Sequence, residues 1–93
     1  MPAVTTLFQN YPNPVKNGTT IKFALTKPGF VSLKVYNVKG EKVTTFLQNN
    51  LEEAIHTVNW NIADSKKKLP NGIYFYELQT PQKIITKKMI IMK

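Results

Sequence analysis

Apolar side chains recur at every second position along much of this sequence, which is the spacing of β-strands that bury one face. The clearest cases are residues 21–25 (IKFAL) and 31–35 (VSLKV), where large apolar residues alternate with polar or small ones. Further strands are predicted at residues 42–47, 55–60, 73–79 and 83–92, with a short one around residues 5–10. Residues 50–56 (NLEEAIH) are too short for a stable helix and are predicted to be a loop that leads into the fifth strand.

The breaks between these segments carry residues that favour turns. Asn37 is suited to open a type I turn, and Gly40 to hold the left-handed conformation that follows it. Gly72 ends another such break, just before the sixth strand. The remaining breaks contain Asn17-Gly18, Lys27-Pro28-Gly29, Pro70-Asn71 and Thr80-Pro81-Gln82. About seven short strands with turn signals between them predict an all-β sandwich or barrel.

A single tryptophan, Trp60, lies in the predicted fifth strand. The two-residue period puts it on one face with His56 and Val58, so it is predicted to anchor the core. Replacement of a fully buried tryptophan by alanine costs about 3–5 kcal/mol, a large share of the stability of so small a domain. Tyr74 of the sixth strand is predicted to have a structural role as well.

The charged residues are dominated by lysine. The 93 residues suffice for one domain and carry a formal net charge of +8 at pH 7, and all 13 basic residues are lysines. Because arginine is the usual bidentate reader of phosphates and guanine edges, its absence argues against sequence-specific nucleic-acid binding. Two interpretations of the lysines stay open: solubility, or attraction to an anionic surface such as lipopolysaccharide or an acidic partner. Lys66, Lys67 and Lys68 are predicted to form the solvated tip of the longest loop, residues 61–72.

Groups that support catalysis or metal binding are scarce in this chain. It has no cysteine, which excludes disulfides, thiolate metal ligands and thiol nucleophiles. Its one histidine, His56, could form a catalytic triad only with Ser32 or Ser65, and no oxyanion-hole motif accompanies either serine. The acidic residues lack the spaced pattern of a calcium loop. The sequence therefore predicts no enzymatic activity, no metal and no cofactor.

The N-terminal residues, MPAVTTLFQN, contain neither a basic segment nor a long apolar one, so a signal peptide is not predicted there. If the protein crosses an inner membrane, we expect the signal peptide on a longer precursor. Residues 1–6 are predicted to be a linker or a cloned start, and residues 7–93 the domain itself.

Five segments, in order along the chain, resemble the type A C-terminal sorting domain of the Bacteroidetes type IX secretion system. The first is residues 7–25 (LFQNYPNPVKNGTTIKFAL), in which Tyr11-Pro12-Asn13-Pro14 is followed by Ile21 and Phe23. The others are VSLKVYNVKGEKV at residues 31–43, VNW at 58–60, LPNGIYFYEL at 69–78 and KIITKKMIIMK at 83–93. Together they cover about residues 7–93. The chain departs from the family pattern in two loops, where the usual glycines before the fifth strand and within residues 61–68 are missing.

The resemblance implies an immunoglobulin-like antiparallel β-sandwich that serves as the export signal of a larger cargo protein. Such domains reach the cell surface or the medium through the periplasm and outer membrane. They are recognised by the translocon and are often removed by a surface sortase, which releases the cargo or joins it to anionic lipopolysaccharide. The resemblance assigns recognition to Lys87, Lys88 and Lys93 of the terminal strand and to Tyr11, Pro12, Asn13 and Pro14.

Each recognition segment also has a structural alternative. The two prolines of the Tyr11–Pro14 segment could hold an extended lead-in to the second strand, and the lysines could form a solvated face. If the terminal strand lies at a sheet edge, a receptor could add a strand to it, steered by the lysines. The alternative function is an immunoglobulin-like spacer, assembly or carbohydrate-binding module of a secreted or flagellar hook-capping protein. A carbohydrate site would need exposed aromatic residues on one flat face.

Overall fold

A computed structural model of the chain describes residues 4–62 and 69–93. Within these residues the chain forms β-strands and no α-helix, which confirms the all-β prediction. The strands are β1 (Thr6–Leu7), β2 (Gly18–Leu25), β3 (Gly29–Asn37), β4 (Lys42–Leu51), β5 (Ala54–Asn61), β6 (Gly72–Gln79) and β7 (Ile84–Ile91). The same residues accordingly include no helix of the length and apolar character that crossing a bilayer requires. Ser65 and the predicted loop tip at residues 66–68 lie outside the described residues.

Two antiparallel sheets pack face to face as an immunoglobulin-like sandwich. One sheet has the strand order β1-β2-β5 and the other has the order β4-β3-β6-β7. The chain passes from one sheet to the other between β4 and β5, where only Glu52 and Glu53 separate the two strands. The prediction of a loop over residues 50–56 is therefore wrong at both ends, because β4 continues to Leu51 and β5 begins at Ala54.

The core between the sheets contains the apolar set that the alternation predicts, together with Ala24, which the alternation placed on the polar face, and apolar residues outside the predicted strands. Its fully enclosed apolar side chains come from β2, β3, β6 and β7 and from Val15, which precedes β2. The buried apolar residues are Leu7, Val15, Ile21, Phe23, Ala24, Leu25, Val31, Leu33, Val35, Ile62, Leu69, Tyr74, Tyr76, Leu78, Met89 and Ile91. Ser32 was expected on the wet face of β3 but is only 6% exposed. The register explains this, because Gln48 and Gln79 flank Ser32 on the neighbouring strands and their longer side chains shield it.

Trp60 packs against the core cluster but is only partly buried, so it is not the fully enclosed anchor that its spacing suggested. It lies on β5, an edge strand of the smaller sheet. Its ring meets that of Phe46 edge-on, with the ring centres 5.3 Å apart and the planes at 73°. Phe46 reaches this position because the pairing of β3 with β4 shifts register between Leu33 and Lys34, which inserts one extra residue in β4.

The turn between β3 and β4 forms as its sequence predicts. Asn37 accepts hydrogen bonds through its side-chain oxygen from the N–H groups of Lys39 and Glu41, at 2.9 and 3.0 Å. Gly40 has φ +83° and donates its N–H to the carbonyl of Asn37 at 3.0 Å. Glycine holds this left-handed conformation without the steric cost of a Cβ atom, so Gly40 has the structural role expected of it.

Candidate functional site

Residues 8–15, here called the strap, cross from the smaller sheet to the larger one. At the start of the strap, the Phe8 N–H donates to the Lys22 carbonyl of β2 at 3.0 Å. Tyr11 then pairs with Thr20 of β2 through two backbone hydrogen bonds of 2.8 and 3.0 Å. At its end Val15 pairs with Ile91 of β7. The strap therefore ties β2 of one sheet to the terminal strand of the other.

Four hydrogen bonds join the strap to the outer edge of β7. The Val15 N–H donates to the Ile90 carbonyl at 2.7 Å, and the Val15 carbonyl accepts from the Met92 N–H at 2.8 Å. The Asn13 side-chain oxygen accepts from the Ile90 N–H at 3.0 Å. The Gln9 side-chain amide donates to the Lys88 carbonyl at 2.8 Å. The two segments to which the sequence assigned recognition thus lie in direct contact, although they come from opposite ends of the chain.

The strap is not the extended lead-in that its two prolines suggested. Residues 12–14 form a bend, and both the Tyr11–Pro12 and Asn13–Pro14 peptide bonds are cis. Tyr11, Pro12, Asn13 and Pro14 are all exposed, and the Tyr11 side chain keeps 80% of its surface accessible. The bend therefore presents an aromatic ring and two prolines to the surroundings beside β7.

A buried tyrosine of β6 anchors the first half of the strap from beneath. The Tyr76 hydroxyl donates to the Phe8 carbonyl at 2.8 Å and accepts from the Asn10 N–H at 2.9 Å. Burial raises the pKa of Tyr76 to about 12, and the hydrogen bond from Asn10 offsets only part of that effect. Asn10 is itself 2% exposed and donates through its side chain to the Thr19 hydroxyl at 3.0 Å and to the Pro12 carbonyl at 3.3 Å.

Sequence reasoning missed these anchoring residues. The sequence of β6 contains no pattern that indicates which segment a tyrosine hydroxyl will bond. Asn10 is the one residue that the sequence could have indicated, since asparagine side chains often form hydrogen bonds with nearby backbone groups at turns, and Asn10 directly precedes the Tyr11–Pro14 segment. Gln9 and Val15 gave no signal in the sequence, because their bonds depend on the position of β7.

The three lysines at the C-terminus differ in their surroundings. Lys88 lies on the outer face of the sheet and is exposed, whereas Lys87 lies on the core side of β7 and is half-buried at the edge. Lys93 follows the strand, is exposed, and donates its backbone N–H to the Asn71 side chain at 2.9 Å. None of these lysines forms an ion pair with a carboxylate in the part of the chain that the structure describes. Their charges are therefore not neutralised by a described neighbour.

The strap covers only the C-terminal half of the β7 edge. In β7 the backbone groups of residues 85, 87, 89 and 91 face β6, and those of the residues between them point away from β6. Ile90 is one of the latter and directs both its N–H and its carbonyl to the strap. The two-residue period gives the N–H and carbonyl of Ile84 and Thr86, and the N–H of Lys88, the same outward direction. No described residue bonds to these five groups. Among the described residues, the first half of β7 therefore has no strand paired to this side and is an open sheet edge, with β1 of the other sheet lying near β7.

Tyr74 and Gly72 support the start of β6. Tyr74 is 5% exposed and donates its hydroxyl to the Pro70 carbonyl at 2.7 Å, and burial raises the pKa of this phenol. Gly72 has φ +149° and pairs with Ile91 of β7. With Tyr74 buried and Trp60 partly buried, these two aromatic residues do not form the flat exposed platform that a carbohydrate site needs.

The single histidine takes part in packing contacts. The His56 ring stacks on Phe23 with the ring centres 5.3 Å apart and the planes at 25°, and its Nε2 lies 3.0 Å from the Glu52 carbonyl. Ser32 lies on β3 of the opposite sheet. Among residues 4–62 and 69–93, no three histidine, aspartate or glutamate side chains cluster in a way that could hold a metal ion.

Comparisons with known proteins identify a family and a similar fold. The family described as the secretion system C-terminal sorting domain matches residues 9–92 of the chain. Among solved structures, the chain is similar to a crystal structure of dimeric latent PorU from Porphyromonas gingivalis, with 24% identity and a TM-score of 0.68. The likeness covers 98% of this chain and 9% of that chain, and it shows a shared fold. A comparison with curated proteins gives no match.

Proposed function

Because this chain belongs to the family of secretion system C-terminal sorting domains, we propose that its strap and β7 together form the surface that the export machinery recognises. As a member of that family, the domain is a sorting signal of type IX secretion. It marks the protein that carries it for export to the cell surface or beyond. The signal interacts with the secretion machinery as part of a larger cargo protein.

One observation carries the assignment of the surface: the backbone of Val15 is hydrogen-bonded to that of Ile90 and Met92. This contact joins the exposed bend, Tyr11 to Pro14, to the strand that carries Lys87 and Lys88. A receptor that reads such a surface meets an aromatic ring, two prolines and positive charges on one edge of the fold. Recognition would then depend on folding, since neither segment alone presents the aromatic ring, the prolines and the lysine charges together.

The partners of this surface are proposed to be translocon components and the surface sortase that removes such domains. Exposed lysines also favour transient contact with anionic lipopolysaccharide, because exposed charges attract oppositely charged surfaces over about one Debye length. Lys88 and Lys93 are the exposed members of the set, and we assign this attraction to them. Lys87, half-buried at the strand edge, contributes mainly to the local charge of the edge.

The domain itself is proposed to act as a ligand and not as a catalyst. His56 is engaged with Phe23 and the Glu52 carbonyl, and it lies in a different sheet from Ser32. Of the candidate triad residues that the structure describes, His56 and Ser32 thus lie on strands of different sheets. A purified sample should show no hydrolysis of ester or peptide substrates, and a rate that His56→Ala abolishes would contradict this proposal.

Export of a reporter tests the recognition surface. The 93-residue chain is fused behind a reporter that carries its own signal peptide, in a host that has a type IX system. Deletion of residues 87–93 also removes core residues Met89 and Ile91, so point variants are sharper than truncation. Tyr11→Ala and Lys88→Gln should reduce export, whereas Lys27→Gln, an exposed lysine elsewhere in the fold, should leave it unchanged. Equal export by all three variants would refute the proposed surface.

A further inference from the structure

The open half of the β7 edge has the geometry of a strand-docking site. Its five outward backbone groups, from Ile84 to Lys88, alternate N–H and carbonyl at two-residue spacing. An extended peptide of about four or five residues could pair with all of them, as in proteins that bind ligands by adding a strand to a sheet. The strap already occupies the other half of the same edge, which fixes where a docked strand must stop.

The charges beside this open edge point to the chemistry of the docked strand. Lys83 precedes β7, and Lys87 and Lys88 lie at its centre, while neither β7 nor the turn before it contains a carboxylate. On the neighbouring strand β6, Glu77 is the acidic residue that pairs with this half of β7; it lies opposite Thr86 and is half-buried. An incoming strand therefore meets mainly positive charge.

We propose that the segment from Ile84 to Lys88 binds an extended acidic segment of a receptor protein as an additional β-strand. This inference rests on the proposed function and names the contact through which the sorting signal is read. A second copy of this chain is a poorer occupant, because antiparallel pairing of two such edges would bring the lysines of β7 together. Lysine at an open edge thus disfavours self-association and favours an acidic partner.

Thr86 offers a variant that removes a docking group without removing a bond of the fold. Its N–H points outward, away from β6, so Thr86→Pro deletes a donor from the open edge and leaves the ladder between β6 and β7 complete. Thr86→Val is the matched control, since valine keeps both the N–H and the branched shape. The melting temperatures of the two variants should agree within a few degrees.

Direct binding is measured by NMR on the full 93-residue chain. The probe is a synthetic acidic peptide, Thr-Glu-Val-Glu-Val-Thr, and its control carries lysine in place of glutamate. The acidic peptide should shift and protect the amides of Ile84, Thr86 and Lys88, weaken as salt rises, and bind Thr86→Pro at least about tenfold less tightly than Thr86→Val. Shifts centred on another edge or face, or equal binding of both peptides, would overturn the proposal even if Thr86→Pro is unstable.

Export of the reporter fusion then separates this inference from the proposed function. Loss of export with Thr86→Pro and normal export with Thr86→Val supports strand docking. Normal export with both variants overturns the docking proposal and leaves the sorting function intact. No export of the unaltered fusion contradicts the sorting function itself. Lipopolysaccharide that binds Thr86→Pro and Thr86→Val equally, with no binding of the acidic peptide, also overturns strand docking, because it shows that the lysines act only as surface charges.

Discussion

The side-chain oxygen of Asn13 accepts a hydrogen bond from the backbone N–H of Ile90 at 3.0 Å. This bond joins the centre of the strap bend to the terminal strand, across 77 positions of sequence. It also explains why asparagine suits the place between two prolines: a short side chain with an acceptor reaches a strand edge that the proline-flanked backbone does not pair with directly.

Asn13→Ala should free the Ile90 N–H and loosen the strap. Because this hydrogen bond is exposed, water replaces the lost acceptor, and the expected loss is at the low end of about 0.5–1.5 kcal/mol of unfolding free energy. Hydrogen exchange at the Ile90 amide should become faster. Asn13→Asp keeps an acceptor and should keep the slower exchange. An unchanged exchange rate in Asn13→Ala would show that the bond does not form in solution.

Tyr76→Phe should destabilise the fold more than Asn13→Ala does. The hydroxyl satisfies the Phe8 carbonyl and the Asn10 N–H in the interior, and phenylalanine fills the same volume without bonding either group. A buried backbone group without a partner costs about 1–3 kcal/mol. Urea unfolding should show this loss with an unchanged m-value. Tyr36→Phe, at a partly buried tyrosine on the outer face, is the control and should cost little.

The alternation in the sequence was enough to predict the layers of the sandwich but not the edges. Ile21, Phe23 and Leu25 are buried because a two-residue period can place only one side of a strand between sheets. The period does not say which strands are central, so Trp60 was expected in the core although β5 lies at an edge. Edge positions follow from strand order, which is a long-range property of the chain.

The candidate site, too, was predictable from the sequence only in part. The exposed bend and the terminal lysines were found by resemblance to a family, and their residue types suit a recognised surface. Their contact was not predictable, because it runs through the side chain of Asn13 and the backbone of Val15 and depends on how the strap crosses the sandwich. The split of the β7 edge into a covered and an open half follows from the same crossing. The domain limits at residues 7–93 stay a prediction, although paired structure begins at Thr6.

Alkaline pH should weaken the fold through Tyr76. Its folded pKa, raised to about 12, lies above the ordinary value of 10.0, so the folded state holds the phenol proton more tightly than the unfolded chain does. Stability from this group is complete below about pH 10 and is lost as pH rises toward about 12. Tyr76→Phe should flatten the fall of unfolding free energy over that window. In a phenolate absorbance titration, Tyr76→Phe should remove a component that ionises near pH 12.

Gly40→Ala should cost about 1–2 kcal/mol, because a Cβ atom is strained at φ +83°. The space around Gly40 is open, since no atom beyond the adjoining residues lies within 4 Å of the place that a Cβ atom would take, so the cost comes from the backbone alone. Gly40→Asn should lose less, since asparagine tolerates the left-handed conformation better. Thermal unfolding of the two variants measures the difference. Equal losses would mean that the turn changes its conformation to relieve the strain.

Trp60→Ala should cost less than the roughly 3–5 kcal/mol of a fully buried tryptophan, because part of its ring already faces solvent. Its specific contact is the edge-on pair with Phe46, in which the positive ring edge meets the negative ring face. A double-mutant cycle with Phe46→Ala isolates that contact, and the coupling energy should be about 0.5–1.5 kcal/mol. Phe46 is itself the extra residue that the register shift inserts in β4. A coupling energy near zero would therefore mean that this bulge does not bring the two rings together, and that β4 and β5 are held only by the rest of the core.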